Sequence, residues 1–365
     1  MKRPFDNDSS LEVKAGVELP PSINPNLRRR QPQPKPTQDQ LIDGIKNGDR
    51  VLLSRAITLV ESRKEEDRFI AHQLMNSILP LTGNSLRIGI TGVPGVGKST
   101  FIEAFGVKLV EAGHKVAVLA VDPTSERSGG SILGDKTRME ALSRETNAYI
   151  RPTPSGATLG GVARRTRETI LLVEAAGFDR VLIETVGVGQ SEVMVHSMVD
   201  MFLFLALAGA GDELQGMKRG IMEMADAIVI TKADGDNMNR AKLAAADMSR
   251  ALNLFPKRSD GWQVPVKLSS AITGDGLDEV MTLIEAYKAH QTESRRLQQN
   301  RKKQALYWMA QSIDEKLKQH FELVVKDQQA EVANLVEAGD LNPFDAADRL
   351  IQMYEKQLRE ESHNK

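Results

Sequence analysis

The sequence predicts an α/β protein, in which a mostly parallel sheet is covered by helices and is flanked by helical extensions at both ends. Two observations carry this prediction. Between residues 85 and 288, short apolar segments alternate with stretches of helical length, which is the pattern of a parallel sheet buried on both faces. Outside that region, 38–84 and 289–365 place apolar residues at helical spacing.

The N-terminal part of the chain divides into a tail and a helical extension. Residues 1–37 are rich in proline, asparagine, arginine and glutamine, and we expect a disordered tail there. Over residues 38–80, apolar side chains recur at helical spacing and predict two amphipathic helices. Gly83 and Asn84 then mark a break, so the extension is placed at 38–84.

Six candidate strands follow, each short, continuously apolar and separated from the next by a helical length. They are Leu86–Thr91, Lys115–Asp122, Arg180–Thr185, Met201–Leu207, Ala227–Thr231 and Val264–Ser269. They assign residues 85–288 to one domain. The remainder, 289–365, is strongly charged and helical. Its apolar stripe at spacings of three and four consists of Leu306, Met309, Ile313, Leu317 and Phe321.

Composition excludes several classes of function. The chain has 365 residues, a formal net charge of −1 and no cysteine. Disulfides, thiolate metal sites and cysteine nucleophiles are therefore excluded, and no overall basic field favours nucleic acid or an anionic membrane as a partner. No apolar run is long enough to span a bilayer, and the acidic residues near the N-terminus are unlike a secretory signal. We expect a cytoplasmic protein.

A phosphate-binding loop lies between the first predicted strand and the helix after it. It reads Gly92-Val93-Pro94-Gly95-Val96-Gly97-Lys98-Ser99-Thr100 and matches G-x-x-x-x-G-K-[ST]. The glycines let successive backbone N–H groups converge on phosphate oxygens, and Lys98 reaches the β and γ phosphates. The Ser99 hydroxyl is placed to bind Mg²⁺. The start of the helix adds its positive dipole end.

Two later segments indicate that the base is guanine. Thr231-Lys232-Ala233-Asp234 follows an apolar strand and matches the [NT]-K-x-D pattern of GTPases. The Asp234 carboxylate can accept two hydrogen bonds from guanine, and the stem of Lys232 packs along the base. Ser270-Ala271-Ile272, after the last predicted strand, resembles the element whose backbone closes over the guanine oxygen. GTP and GDP are the expected ligands.

Three carboxylates are candidates for the metal site and for catalysis. Asp122 and Glu184 end predicted strands, and Asp135 lies in a glycine-rich segment after the first of these. They face the edge of the sheet where ligands of open α/β sheets bind. Mg²⁺ on a triphosphate keeps several waters, so we expect water-mediated roles for some of them. The N–H of Gly187, in Glu184-x-x-Gly187, is the expected sensor of the γ-phosphate.

Several motifs in fixed order resemble the MeaB/ArgK/MMAA family, the P-loop GTPases associated with methylmalonyl-CoA mutase. The resemblance covers about residues 38 to 355. The segments that carry it are Gly92–Thr100, Val121–Ser125, Gly130–Met139, Glu184–Glu192 and Thr231–Asp234. A further glycine-rich segment, Gly209–Lys218, resembles an additional switch that ordinary small GTPases lack.

The resemblance implies a role and a set of functional residues. Members of the family act as G-protein chaperones of adenosylcobalamin-dependent acyl-CoA mutases, gate cofactor loading and protect the mutase. They form homodimers through C-terminal helices, for which an intramolecular helical cap is the alternative here. The implied catalytic residues are Lys98, Asp122, Asp135 and Glu184, and the implied metal ligands are Ser99, Asp122, Asp135 and Glu184. The implied partner-sensing residues are Asp212, Gln215 and Lys218.

The sequence assigns no arginine finger and no residue that positions the attacking water. Phosphoryl transfer depends mainly on positioning and charge stabilisation. We therefore expect slow intrinsic GTP hydrolysis until a partner completes the site. A purified protein that hydrolyses GTP as fast as a metabolic enzyme would contradict this.

Three other functions stay open at this point. A metallochaperone GTPase for nickel or cobalt enzymes usually carries cysteine or histidine clusters, whereas this chain has no cysteine and six scattered histidines. A kinase linked to basic amino-acid transport would need an acceptor site other than water. A nucleotide-gated scaffold would show no turnover. Because Asp-x-His-x-x-Gly is absent around every histidine, we expect cobalamin itself not to bind this chain.

Overall fold

Seven parallel strands form one sheet in the computed structural model, which describes residues 35–62, 64–121, 139–152, 159–185, 191–208 and 219–363. The strands are β1 (Leu86–Gly92), β2 (Val116–Val121), β3 (Ala148–Pro152), β4 (Arg180–Thr185), β5 (Met201–Leu207), β6 (Ala227–Thr231) and β7 (Val266–Leu268). Their order is β3-β2-β4-β1-β5-β6-β7, and each neighbouring pair is parallel. The predicted α/β class is confirmed.

The sequence analysis missed strand β3, and the structure corrects this. Only Ala148, Tyr149 and Ile150 are apolar before Arg151 and Pro152, so the segment is too short to stand out as a buried strand. Pairing with β2, in which Ile150 lies opposite Val118, makes it one. The prediction was also too long for the last strand, because β7 has only three residues.

The helices fill the intervals between the strands and extend the chain at both ends. They are α1 (Gln38–Lys46), α2 (Arg50–Glu61), α3 (Glu65–Ile78), α4 (Lys98–Glu111), α5 (Glu140–Arg144), α6 (Leu159–Ala175), α7 (Ser191–His196), α8 (Arg219–Met224), α9 (Met238–Leu252), α10 (Leu277–Glu293), α11 (Arg296–Val324), α12 (Lys326–Glu337) and α13 (Pro343–His363). Among the described helices, none is long and apolar enough to cross a membrane.

Helices cover both faces of the sheet. Alternate strand residues such as Ile88 and Ile90 pack against α4, α5 and α10. The opposite face packs against α2, α3, α6 and α7 through residues such as Val181 and Phe202. Gly89 lies on that second face, where an added Cβ would stand only 2.9 Å from the Phe202 ring. The close approach of α7 to β1 therefore requires glycine.

The N-terminal extension is part of the core rather than an appendage. Leu41, Leu53, Ile57 and Leu74 are buried in the same cluster as Ile170 of α6. Three helices occur where the sequence predicts two, because two interruptions divide the segment.

Local side-chain chemistry places the start of α1 and the interruption between α1 and α2. Thr37 and Gln40 form a capping box at the start of α1, which satisfies N–H groups that have no partner within the helix. Gly48, at φ +70°, follows its end. The Asp49 carboxylate then caps α2 by accepting from the N–H groups of Val51 and Leu52 at 2.8 and 3.0 Å.

The first half of α11 is anchored to the amino edge of the sheet. The Arg301 guanidinium donates two hydrogen bonds to the buried Asp200 carboxylate, at 2.7 and 2.6 Å. Trp308 Nε1 donates to the Ser197 carbonyl at 3.1 Å. Residues Thr37–Lys365 form one compact unit, and the boundary predicted at residue 288 falls inside α10.

Candidate nucleotide-binding site

The glycine-rich loop connects β1 to α4 at the carboxyl edge of the sheet. Gly95 and Gly97 have φ values of +78° and +90°, a region that disfavours side chains. Gly97 directly precedes α4, and its carbonyl accepts from the Phe101 N–H at 2.9 Å. Val96 is buried between them at 1% exposure. The two glycines therefore let the loop turn tightly before α4, while the buried Val96 side chain anchors it.

Gly92 shows why the motif begins with glycine. A Cβ at this position would lie 2.5 Å from the Leu205 carbonyl oxygen of β5. Backbone from β5 therefore passes too close for any larger residue. The requirement comes from packing between strands, and it fixes where the loop leaves the sheet.

Lys98 is held over the loop by its own backbone. Its Nζ donates to the Gly92 carbonyl at 2.8 Å and contacts the Val93 carbonyl at 3.4 Å. Burial lowers the pKa of Lys98, while the nearby carboxylates of Glu184 and Glu192 oppose that shift. The ammonium group is thus positioned at the mouth of the loop, where phosphate oxygens are predicted to bind.

Ser99 and Glu184, both predicted metal ligands, meet beside the loop. The Ser99 hydroxyl donates to Glu184 Oε1 at 2.9 Å, and Glu184 is 4% exposed near the end of β4. The next residue, Thr185, donates to the Thr91 hydroxyl at 2.9 Å. A hydroxyl and a carboxylate oxygen are hard ligands of the type that Mg²⁺ prefers, so these two residues fit a magnesium ion.

Other predicted site residues lie outside the described residues. They are Asp122, Asp135, Gly187, Asp212, Gln215 and Lys218. Within the described parts of the chain, no group of three or more acidic or histidine side chains is arranged to hold a metal ion. The metal site, including Ser99 and Glu184, and the partner switch therefore remain predictions.

The base-recognition segment is tied directly to the phosphate loop. The buried Thr231 hydroxyl donates to the Val96 carbonyl at 2.8 Å. The Lys232 Nζ donates to the Gly95 carbonyl at 2.9 Å, and Lys232 itself has φ +56°, unusual for a side-chain-bearing residue. Two adjacent residues thus join the carboxyl end of β6 to the loop.

Asp234 is oriented by the second predicted base segment. The Ser270 hydroxyl donates to Asp234 Oδ2, and its oxygen accepts from the N–H groups of Ile272 and Thr273, both at 3.2 Å. Ser270 is fully buried, Ala271 is half-buried and Ile272 is 83% exposed. The structure therefore brings Asp234 and Ser270 together, with an exposed apolar side chain at their rim.

One residue near the phosphate loop was missed from sequence. Glu192 lies in the first turn of α7 at 1% exposure, and its charge acts on Lys98. The resemblance already included it at the end of Glu184–Glu192, but no role followed from its position in the chain. Its burial beside the Lys98 ammonium group would have indicated a role, but the sequence does not show that burial.

The fold and this site together define a P-loop nucleotide hydrolase, with phosphate and base segments at one edge of a parallel sheet. A family model described as methylmalonyl Co-A mutase-associated GTPase MeaB matches residues 53–326. The chain therefore belongs to the MeaB family of GTPases, and it is a GTPase.

Individual relatives agree with this assignment. The GTPase ArgK of Escherichia coli is 49% identical over 284 residues, which cover 78% of this chain and 86% of that protein. The mouse methylmalonic aciduria type A homolog, described as mitochondrial, is 45% identical over 328 residues, covering 87% and 79%. A solved structure described as a LAO/AO transport system kinase has 39% identity and a TM-score of 0.68, covering 87% of this chain and 97% of that one.

Proposed function

We propose that this GTPase depends on Mg²⁺ and acts as a chaperone of an adenosylcobalamin-dependent acyl-CoA mutase of the methylmalonyl-CoA mutase type. In this role GTP binding and hydrolysis gate cofactor loading and protect the mutase. The observation that carries the proposal is the family match over residues 53–326, whose description associates the family with that mutase. The phosphate loop and its links to the base segment support the nucleotide part.

Each group of site residues has its own role in GTP hydrolysis. The loop N–H groups and Lys98 bind phosphate oxygens and stabilise negative charge as it develops. Ser99 and Glu184 would hold Mg²⁺, which supplies charge neutralisation for the β and γ phosphates when it is bound. Asp234 selects guanine. Asp122, Asp135 and Gly187 are proposed to complete the metal site and to sense the γ-phosphate.

Slow intrinsic turnover is part of the proposal. A site that lacks a preset arginine finger stabilises the transition state incompletely. We propose that Asp212, Gln215 and Lys218 respond to the mutase and that the mutase accelerates hydrolysis. The proposal also includes a homodimer formed through the helices of 289–365, and a cytoplasmic location.

Reconstitution with purified methylmalonyl-CoA mutase tests the role. GTP hydrolysis is measured with and without the mutase, and transfer of adenosylcobalamin to apo-mutase is followed by its absorbance. We expect the mutase to increase the hydrolysis rate, and cofactor transfer to depend on the nucleotide. Omitting Mg²⁺ should abolish hydrolysis.

Matched variants separate the steps. Lys98→Ala should lose GTP hydrolysis about 100-fold or more, as when one charge-stabilising donor is removed, whereas exposed Lys242→Ala should behave as wild type. Gln215→Ala should keep the basal rate and lose the acceleration by mutase. Equal hydrolysis with and without mutase, together with nucleotide-independent cofactor transfer, would overturn the chaperone role.

A kinase function is the second candidate, because one similar solved structure is described as a transport system kinase. It requires transfer of the γ-phosphate to a protein rather than to water. Incubation with γ-labelled GTP and a periplasmic binding protein for basic amino acids tests this directly. Label on the binding protein would support the kinase, and release of all label as inorganic phosphate would dismiss it.

A further inference from the structure

A groove runs along the outer edge of strand β3, away from the nucleotide-binding site. Of the strands that the structure describes, only β2 pairs with β3, which stands at the end of the sheet. The groove is open to solvent along one side and has a volume of about 870 Å³, within the range of ligand-binding clefts. None of its described lining residues belongs to the phosphate loop or the base segments.

The lining shows that the groove follows the sheet edge itself. Four consecutive residues of the strand, Tyr149–Pro152, line it. Because side chains of a strand alternate between faces, a groove on one face would touch only every second residue. Its walls also come from opposite sides of the sheet: Ser54 belongs to α2 on one face and Ser143 to α5 on the other. The floor is therefore the edge of β3.

The groove is positively charged. Arg50, Arg55 and Arg151 are among its described lining residues, and none of those lining residues is acidic. Arg151 pairs with Glu61 at its inner end. Arg50 contacts the Glu145 carbonyl oxygen at 3.4 Å rather than a carboxylate. Guanidinium groups from a strand edge and from the helix beside it can pair with carboxylates on an extended chain.

We propose that this groove binds an extended, acidic segment of a partner protein, which adds to the sheet beside β3. Strands at sheet edges pair readily with other chains, and peptide recognition by strand addition takes affinity from the backbone and specificity from side-chain contacts. Here the arginines supply the specificity. A phosphorylated small molecule would also suit three arginines, but it would not require a floor made of consecutive strand residues.

Fluorescence anisotropy with the full-length protein tests the proposal. The probe is a short, capped and labelled peptide of alternating glutamate and valine. We expect it to bind at least about tenfold more tightly than a lysine–valine peptide, because favourable pairs with the three arginines together are worth about that factor. Hydrogen exchange should slow, when the peptide binds, at those amides within residues 148–151 that have no partner in β2 or in Glu145.

Variants and a modified peptide identify the binding mode. Arg50→Glu combined with Arg55→Glu should weaken binding about tenfold or more, while Arg240→Glu, on the exposed part of α9, should leave it unchanged. Both variants should retain wild-type GTP hydrolysis and circular dichroism, which shows that they fold. A peptide with N-methylated backbone amides should bind weakly, since it cannot pair with β3.

Three results would overturn the proposal: equal affinity for the acidic and basic peptides, no effect of the double arginine variant, or undiminished binding of the methylated peptide. Displacement of the probe by pyrophosphate, with no protection of residues 148–151, would instead assign a phosphate site. These outcomes are independent of whether the mutase accelerates GTP hydrolysis.

Discussion

Thr231 joins base recognition to phosphate recognition through one buried hydroxyl. Its Oγ1 donates to the Val96 carbonyl at 2.8 Å and lies 3.3 Å from the Ala206 carbonyl. The sequence shows Thr231 only as a variant first position of the [NT]-K-x-D pattern. The structure gives it a mechanical role, because the hydroxyl holds the phosphate loop against β6.

Replacing this hydroxyl by a methyl group tests that role. Thr231→Val keeps the shape of the side chain but leaves the Val96 carbonyl without its donor, at a cost of about 1–3 kcal/mol. We expect roughly tenfold weaker GTP binding, measured by titration with a fluorescent GTP analogue. Exposed Thr282→Val on α10 is the control. An unchanged affinity would mean that the loop is held without this bond.

Asp234 provides the second prediction at this scale. Asp234→Asn replaces an acceptor of two hydrogen bonds by an amide that also donates, so guanine loses its match and xanthine gains one. Each bond to a charged group is worth about 1.5–3 kcal/mol, so we expect GTP affinity to fall about 100-fold or more. Competition between GTP and XTP for a fluorescent nucleotide measures this.

The neighbouring Asp236 offers a matched control, because Asp236→Asn changes an exposed carboxylate outside the motif. It should leave the preference for GTP intact. If Asp234→Asn and Asp236→Asn behaved alike, the assignment of Asp234 to guanine would fail.

At the scale of elements, the strands that are continuously buried were the ones that the sequence predicted well. Strands β1, β4, β5 and β6 are continuously apolar and were found with nearly their observed bounds, whereas β3 was missed. Sequence pattern reports how much apolar surface a segment carries. It does not report the backbone partner that converts a short segment such as Ala148–Pro152 into an edge strand.

A buried ion pair joins two elements that the sequence leaves unconnected. Arg87 of β1 donates to both carboxylate oxygens of Glu174 of α6, at 2.7 and 2.8 Å. Burial alone would raise the pKa of Glu174, but the hydrogen bonds and charge of Arg87 outweigh it, with help from Ser85 and the Gly83 N–H. The pKa of Glu174 therefore lies below its usual range.

This shift predicts part of the acid sensitivity of the fold. A carboxylate with a lowered pKa in the folded state stabilises the protein above its unfolded pKa, near 4.5, and the contribution is lost as pH falls through the lower folded value. Glu174→Gln should be less stable than wild type at pH 7, by about 3–5 kcal/mol as expected for a broken buried pair. The gap between the two proteins should shrink below about pH 4.5.

Urea unfolding at pH 7 and at several values below about pH 4.5 measures the gap in free energy of unfolding. Glu66→Gln, an exposed substitution at the start of α3, controls for general acid effects. A gap that stays constant across this pH range would show that Glu174 does not titrate with folding.

At the scale of the whole molecule, the C-terminal helices leave an apolar surface exposed. Leu306, Met309 and Leu317 are 62%, 57% and 57% exposed along α11. Phe321, the last residue of the predicted stripe, instead packs against the Tyr354 ring of α13 at 5.3 Å. Most of the stripe is therefore not covered by another helix of the same chain. Exposed apolar patches of this kind mark association surfaces.

We expect this surface to mediate the proposed homodimer. Leu306→Glu combined with Ile313→Glu should convert the dimer to a monomer in sedimentation velocity experiments, because each buried charge lacks a partner. Leu243→Glu, on exposed α9, should leave the dimer intact. A monomeric wild-type protein at micromolar concentration would contradict the expectation.

The sequence by itself determined the α/β class and the family, and it predicted the phosphate loop Gly92–Thr100 and the guanine segment at Asp234. These features depend on residue type and on spacing along the chain, both of which the sequence shows directly. Only the tertiary structure decided that β3 forms one edge of the sheet, that the N-terminal helices belong to the core, and that Glu192 lies near Lys98. Each of these depends on contacts between segments distant in the chain, and local spacing does not encode such contacts.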